Sequence, residues 1–136
     1  MSRVILDANV IIRFITGDDK EKQEKAARLF EQIKKGEITA FIHDVIFAEI
    51  VFVLVSKKLY NLSKSKIRSL LLPIINLPHI KFINKNKIKR ALDIFVQFNV
   101  DFEDAVIAAY SESKNIEILT FDDDFKKIPN ISSKQP

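Results

Sequence analysis

The chain has no cysteine and only two glycines among its 136 residues. The first absence removes any disulfide framework and any thiolate zinc site, and it is compatible with the cytosol. The second removes the glycine-rich loops with which P-loop and dinucleotide-binding proteins cradle phosphates, because those loops need several glycines in one short segment. Long apolar runs are also missing. The longest, Val45 to Val55, holds Glu49 and falls well short of the roughly 20 residues that cross a bilayer. No secretory leader is expected, since Asp7 interrupts the only early apolar run. A cytoplasmic protein with no membrane association is the resulting expectation. Histidine is scarce as well: His43 precedes the apolar stretch and His79 follows Pro78, and neither is well placed as a general base.

What is present is an ordinary globular composition, 47% hydrophobic and 29% charged, which argues against disorder. The length suits one domain with a sizeable core, expected over 1–130 and followed by a polar, frayed tail at 131–136. The net charge of +4 leans toward anionic partners such as nucleic acid, although a lysine-rich solvated surface explains it more simply.

The spacing of apolar residues predicts a strand over Ser2 to Leu6, a short helix over Val10 to Ile15 stopped at Gly17, and a helix capped by Asp18 or Asp19 that runs to Lys35. Ile38 to Ile42 reads as a second strand. Asp44 is expected to cap a strongly apolar helix to Lys57, and Ser63 or Ser65 to start another, kinked at Pro73. A short strand at Ile80 to Ile83, a helix to Phe98 and a helix from Phe102 to Ser113 follow. Ile116 to Thr120 then forms a fourth strand before the acidic turn Asp122-Asp123-Asp124. Strands that alternate with helices imply an α/β fold, a mostly parallel sheet with helices on both faces.

In such sheets ligands bind beyond the carboxyl ends of the strands. Asp7 ends the first strand and Asp122 follows the last. Glu49 lies in a helix that is apolar on every side and is therefore expected to be buried. There an ionised carboxylate needs either a salt bridge or a metal. Asp101 and Asp104 share the first turn of one helix, where each serves either the helix dipole or a site. Ala105, Ala108 and Ala109 form a small-residue stripe that would let this helix approach the sheet. Asp122 is either a site residue or the cap of a short turn. If Asp7, Glu49, Asp104 and Asp122 converge, they cannot all stay ionised without cations, and all-oxygen ligands suit Mg²⁺ or Mn²⁺. Two such ions, roughly 3.5–4 Å apart, clamp the attacking and leaving oxygens of a phosphodiester. Asn9 and the Thr120 hydroxyl are candidates to orient the site.

The stretches VILDANVII, FAEIVFVL, DFEDAVIAA and ILTFDDDF, taken in this order and spacing, resemble the PIN-domain nucleases, and among them the VapC-like toxins of toxin–antitoxin systems. The likeness covers essentially the whole domain. It implies a three-layer α/β/α fold, Mg²⁺- or Mn²⁺-dependent endoribonuclease action, a homodimer, and inhibition by a small antitoxin protein. It also implies Asp7, Glu49, Asp104 and Asp122 as the metal-binding acids, with Asn9, Thr120 and, secondarily, Asp101 in support. Basic residues such as Lys57, Lys66, Arg68, Lys87 and Arg90 would meet RNA phosphates or simply be solvated.

Other readings fit less well. A haloacid-dehalogenase-like phosphatase would want a second acid where Asn9 stands. A receiver-type domain would want its phosphoacceptor in mid-chain. A PIN fold that binds RNA without cutting it differs from a nuclease only in site geometry.

Overall fold

In the computed structural model, which describes residues 2–136, strands alternate with helices as the hydrophobic pattern predicts, and the class is α/β. The chain divides into two units, one running to Ile83 and the other from Asn84 to Pro136.

The first unit is built on three parallel strands in the order β1 (Ser2–Ile5), β2 (Ile38–Phe41), β3 (Ile80–Lys81). The helices α1 (Ala8–Thr16) and α2 (Lys20–Lys34) connect β1 to β2. The helices α3 (Asp44–Val55) and α4 (Lys64–Ile75) connect β2 to β3. Gly17, at φ 68°, closes α1 in the left-handed conformation that glycine adopts without a Cβ penalty. Asp19 caps α2 by accepting the Lys22 N–H at 3.1 Å, and Ser63 does the same for α4 with Lys66 at 3.2 Å. Pro73 lies inside α4 without ending it. Phe30, Ile33, Phe47, Ile50, Val51, Leu54 and Ile67 are fully buried, each such side chain contributing about 1.5–3 kcal/mol of hydrophobic stabilisation. The Phe14 and Phe30 rings stack at 4.2 Å and join α1 to α2.

Three expectations for this unit are corrected. The cap of α3 is His43, whose Nδ1 accepts the Val45 N–H at 3.1 Å. Asp44 is instead the first helical residue, and its Oδ1 is buried without a hydrogen-bond partner. The helix also ends at Val55, two residues early, because the chain turns at Ser56 and Leu62 donates its N–H back to the Leu54 carbonyl. Finally, β1 ends at Ile5, one residue before the expected Leu6, and Ile5 is 78% exposed although Leu6 is buried.

The second unit packs α5 (Lys85–Gln97) against α6 (Phe102–Lys114), with Phe95 and Phe102 edge to face at 5.7 Å. The bidentate Arg90–Glu112 pair, at 2.9 and 3.0 Å, ties the two helices at the surface. Ala105, Ala108 and Ala109 are buried, so the small-residue stripe is a packing surface. After the left-handed Asn115, β4 (Ile118–Leu119) pairs in parallel with β5 (Ser133–Lys134). The expected frayed tail is therefore hydrogen-bonded as a strand, and Lys134 also reaches Glu117 at 3.2 Å. Among the described residues, no helix is long and apolar enough to cross a membrane.

Candidate metal centre

The acidic turn after β4 is ordered by its own side chains. The Thr120 hydroxyl oxygen accepts the Asp122 N–H at 2.9 Å, and Asp122 Oδ1 accepts the Asp124 N–H at 2.9 Å. Each bond spans two residues, the short side-chain-to-backbone pattern by which Asp and Thr hold turns. The Thr120 N–H donates to the Lys134 carbonyl at 3.0 Å, which anchors the turn to β5. Phe125, only 4% exposed, pins its other end in the core. The short 3₁₀ turn Asp124–Lys127 completes the segment.

This geometry sorts three consecutive aspartates. Asp123 is 85% exposed at its side chain and pairs with Lys126 at 3.1 Å. Asp122 and Asp124 instead join Asp104, from the first turn of α6: one carboxylate oxygen from each lies within 4.8 Å of the others. Asp104 is half-buried, and its pKa is raised above the ordinary carboxylate value, first by burial and then by the charges of Asp122, Asp101, Asp124 and Glu103. Lys127 stands 3.4 Å from Asp124, an exposed pair worth little against that accumulation. A cation is the natural relief for three carboxylates held this close.

Asp101 has the backbone of an N-cap and accepts the Ala105 N–H through its carbonyl, but its side chain makes no capping bond. It stays exposed and contributes to the negative field at Asp104. Thr120 acts through the backbone of Asp122, as the acceptor just described.

The remaining candidates belong to the first unit. Asp7 caps α1, its Oδ1 accepting the Ala8 N–H at 2.8 Å, and its side chain is exposed just beyond the end of β1. Asn9 is exposed in the first turn of the same helix. Glu49 is exposed as well, not buried as the all-round apolar pattern suggests. It sits on one stripe of α3 with Val45 and Phe52, the latter 62% exposed, so the apolar residues around Glu49 in sequence do not surround it in space. The desolvation argument for Glu49 thereby falls, and a carboxylate open to incoming ligands replaces it.

Asp124 is the member that the sequence reading passed over. Its signal was the i, i+2 spacing from Asp122 behind a threonine, which places two of three adjacent acids together through an Asp-centred turn. All three ligands offer oxygen only, a donor set that fits a hard divalent cation.

The chain belongs to the PIN domain family, whose model matches residues 4–131. The fold class is accordingly the three-layer α/β/α one that the sequence motifs implied. Among curated proteins the chain is similar to Ribonuclease VapC2 of Methanocaldococcus jannaschii, at 25% identity over 93% of this chain and 89% of that protein. Among solved structures it is similar to VapBC2 from Rickettsia felis bound to a DNA fragment from their promoter, at 19% identity, with 99% and 98% of the two chains covered and a TM-score of 0.39. It is also similar to VapC20 of Mycobacterium tuberculosis, a Sarcin-Ricin loop cleaving toxin, at 14% identity, 94% and 95% coverage and a TM-score of 0.40.

Proposed function

We propose that this protein is an endoribonuclease that uses Mg²⁺ or Mn²⁺ to hydrolyse RNA phosphodiesters, and that it is the toxin of a toxin–antitoxin pair. The observation that carries the reading is the convergence of Asp104, Asp122 and Asp124 within 4.8 Å in a chain of this family. The likeness to a relative named as a ribonuclease supports the substrate class.

In this reading Asp104 and Asp122 hold the cation, with Asp124 beside them, and Asp7 and Glu49 complete the acidic set from the first unit. Both of the latter carboxylates are exposed. When bound, the cation supplies Lewis acidity at the scissile phosphate and a water of lowered pKa. The chain's own residues do the remaining work. Thr120 and Asp122 hold the acidic turn in place, Asn9 orients Asp7 or a water, and the carboxylates set the direction of in-line attack. Asp101 adds negative field without direct contact.

The same reading assigns residues 1–130 to one nuclease domain, makes a small antitoxin protein its partner, and places a homodimer of the protein in the cytoplasm. Incubation of the purified protein with RNA tests it. Cleavage should disappear with EDTA and return with Mn²⁺ or Mg²⁺. Asp104→Asn should fold and fail to cut; undiminished cleavage by that variant, purified free of contaminating nuclease, refutes the assignment.

A further inference from the structure

A cavity of about 380 Å³ lies between α1 and α2. Its apolar lining is formed by Val10, Ala26 and Leu29, and its cationic lining by Arg13, Lys22 and Lys25. Asn9, two residues from Asp7 in the chain, also lines it. Among the described residues no carboxylate lines it, although Asp18, Asp19 and Glu21 pair with its three cations. We infer that this cavity receives one nucleotide of single-stranded RNA, with the base on the apolar lining and the flanking phosphates on Lys22 and Lys25. The inference rests on the ribonuclease reading for its substrate and extends it to a binding subsite.

The chemistry of the cationic lining favours a nucleotide. Lys22 and Lys25 are exposed and pair only with Asp19 at 3.9 Å and Glu21 at 3.5 Å, solvated contacts that a phosphate displaces at little cost. Arg13 is held differently. Its Nη1 donates to Asp18 at 3.0 Å, and Asp18 is itself fixed by Tyr60 at 2.6 Å and Thr16 at 3.0 Å. A guanidinium positioned beforehand offers a flat cationic face on which an unstacked base can lie, a common mode of single-strand RNA recognition. The volume is that of a small ligand pocket and suits a base with its ribose. Asn9 adds an amide donor and acceptor for a base edge and links the cavity to the strand end that carries Asp7.

The test measures binding apart from cleavage. A fluorescein-labelled ten-nucleotide RNA of mixed sequence is titrated by anisotropy against Asp104→Asn, in EDTA, over a range of salt. Adding Lys22→Gln and Lys25→Gln to that background should weaken binding roughly twentyfold at 0.1 M salt and reduce the slope of log K against log salt by about 1.4, the counterion release of two phosphate contacts. Leu29→Ser should weaken binding and leave the slope unchanged. Both exchanges are at solvent-accessible positions, and far-UV circular dichroism verifies folding.

An unchanged affinity and slope in the folded double-lysine variant overturns the subsite, and a groove for a protein partner then becomes the better account of the same cavity. Failure of the nuclease reading looks different: the wild type would leave RNA uncut in Mn²⁺ or Mg²⁺, while the lysine-dependent salt slope would still be measurable.

Discussion

The Oδ1 of Asp122 accepts the backbone N–H of Asp124 at 2.9 Å, and through that one bond two acids of a three-acid run turn toward Asp104. The bond is itself set by the Thr120 hydroxyl, which fixes the Asp122 amide. Thr120→Val removes the acceptor and keeps the shape. It should cost only about 1 kcal/mol of stability, the typical value of one such hydrogen bond, and lower cleavage roughly tenfold or more, the usual range for a lost supporting partner of a metal ligand. Thr120→Ser should restore most of the activity. Thermal melts beside cleavage rates distinguish a positioning effect from unfolding.

The mutual repulsion at Asp104 predicts opposite responses with and without cation. Free of metal, Asp104→Asn should be the more stable protein, with a higher melting temperature, because a half-buried like-charged group has been neutralised. With millimolar Mn²⁺ the wild type should gain stability by mass action and the variant should gain little. Equal gains in both would show that Mn²⁺ binds elsewhere.

Glu49 offers a separate test, since an exposed residue on α3 can be changed without touching the core. Glu49→Gln should leave the stability within about 0.5 kcal/mol of the wild type. Cleavage should fall by more than about a hundredfold, beyond the range of a merely supporting residue. Full activity would remove Glu49 from the metal-binding set.

Asp18 gives a pH prediction for the fold. Its pKa is lowered to about 2, first by the Tyr60 hydroxyl and further by Thr16 and Arg13. A depressed carboxylate contributes stability that is complete above its ordinary value of 3.8 and is lost as pH falls toward 2. The stability difference between wild type and Asp18→Asn should therefore be constant at neutral pH and shrink across that acidic window. Denaturant titrations at a series of pH values measure it; a difference that grows as pH falls would contradict the sign.

Phe125 links packing to the site. Phe125→Ala should destabilise the protein by about 3–5 kcal/mol, the range for a buried aromatic. It should also loosen the acidic turn that ends at the preceding position. Loss of Mn²⁺-dependent stabilisation under conditions where the variant remains folded would register the second effect.

Local chemistry made much of this legible beforehand. Apolar periodicity located the helices to within a few residues, and the caps were narrowed to Asp18 or Asp19 and to Ser63 or Ser65, of which Asp19 and Ser63 accept a free N–H one turn ahead. The acids Asp7, Asp104 and Asp122 were recognisable because each follows a strand or opens a helix. His43 over Asp44 was not, since both can accept the same backbone donors and the choice depends on how α3 leaves β2. Ser133–Lys134 was unreadable as a strand because it is short and polar, and only its partner Ile118–Leu119 gives it an edge to join.

The sequence by itself determined the order of elements up to the acidic turn and the α/β class, and it marked the candidate acids, because propensity, periodicity and charge act over a few neighbouring residues. Only the tertiary structure decided which side of α3 meets solvent, and so exposed Glu49 that the sequence reading had buried. It alone chose Asp124 over Asp123 as the companion of Asp104. Both outcomes depend on the direction in which a side chain leaves a packed backbone, and that direction is set by contacts between residues far apart along the chain.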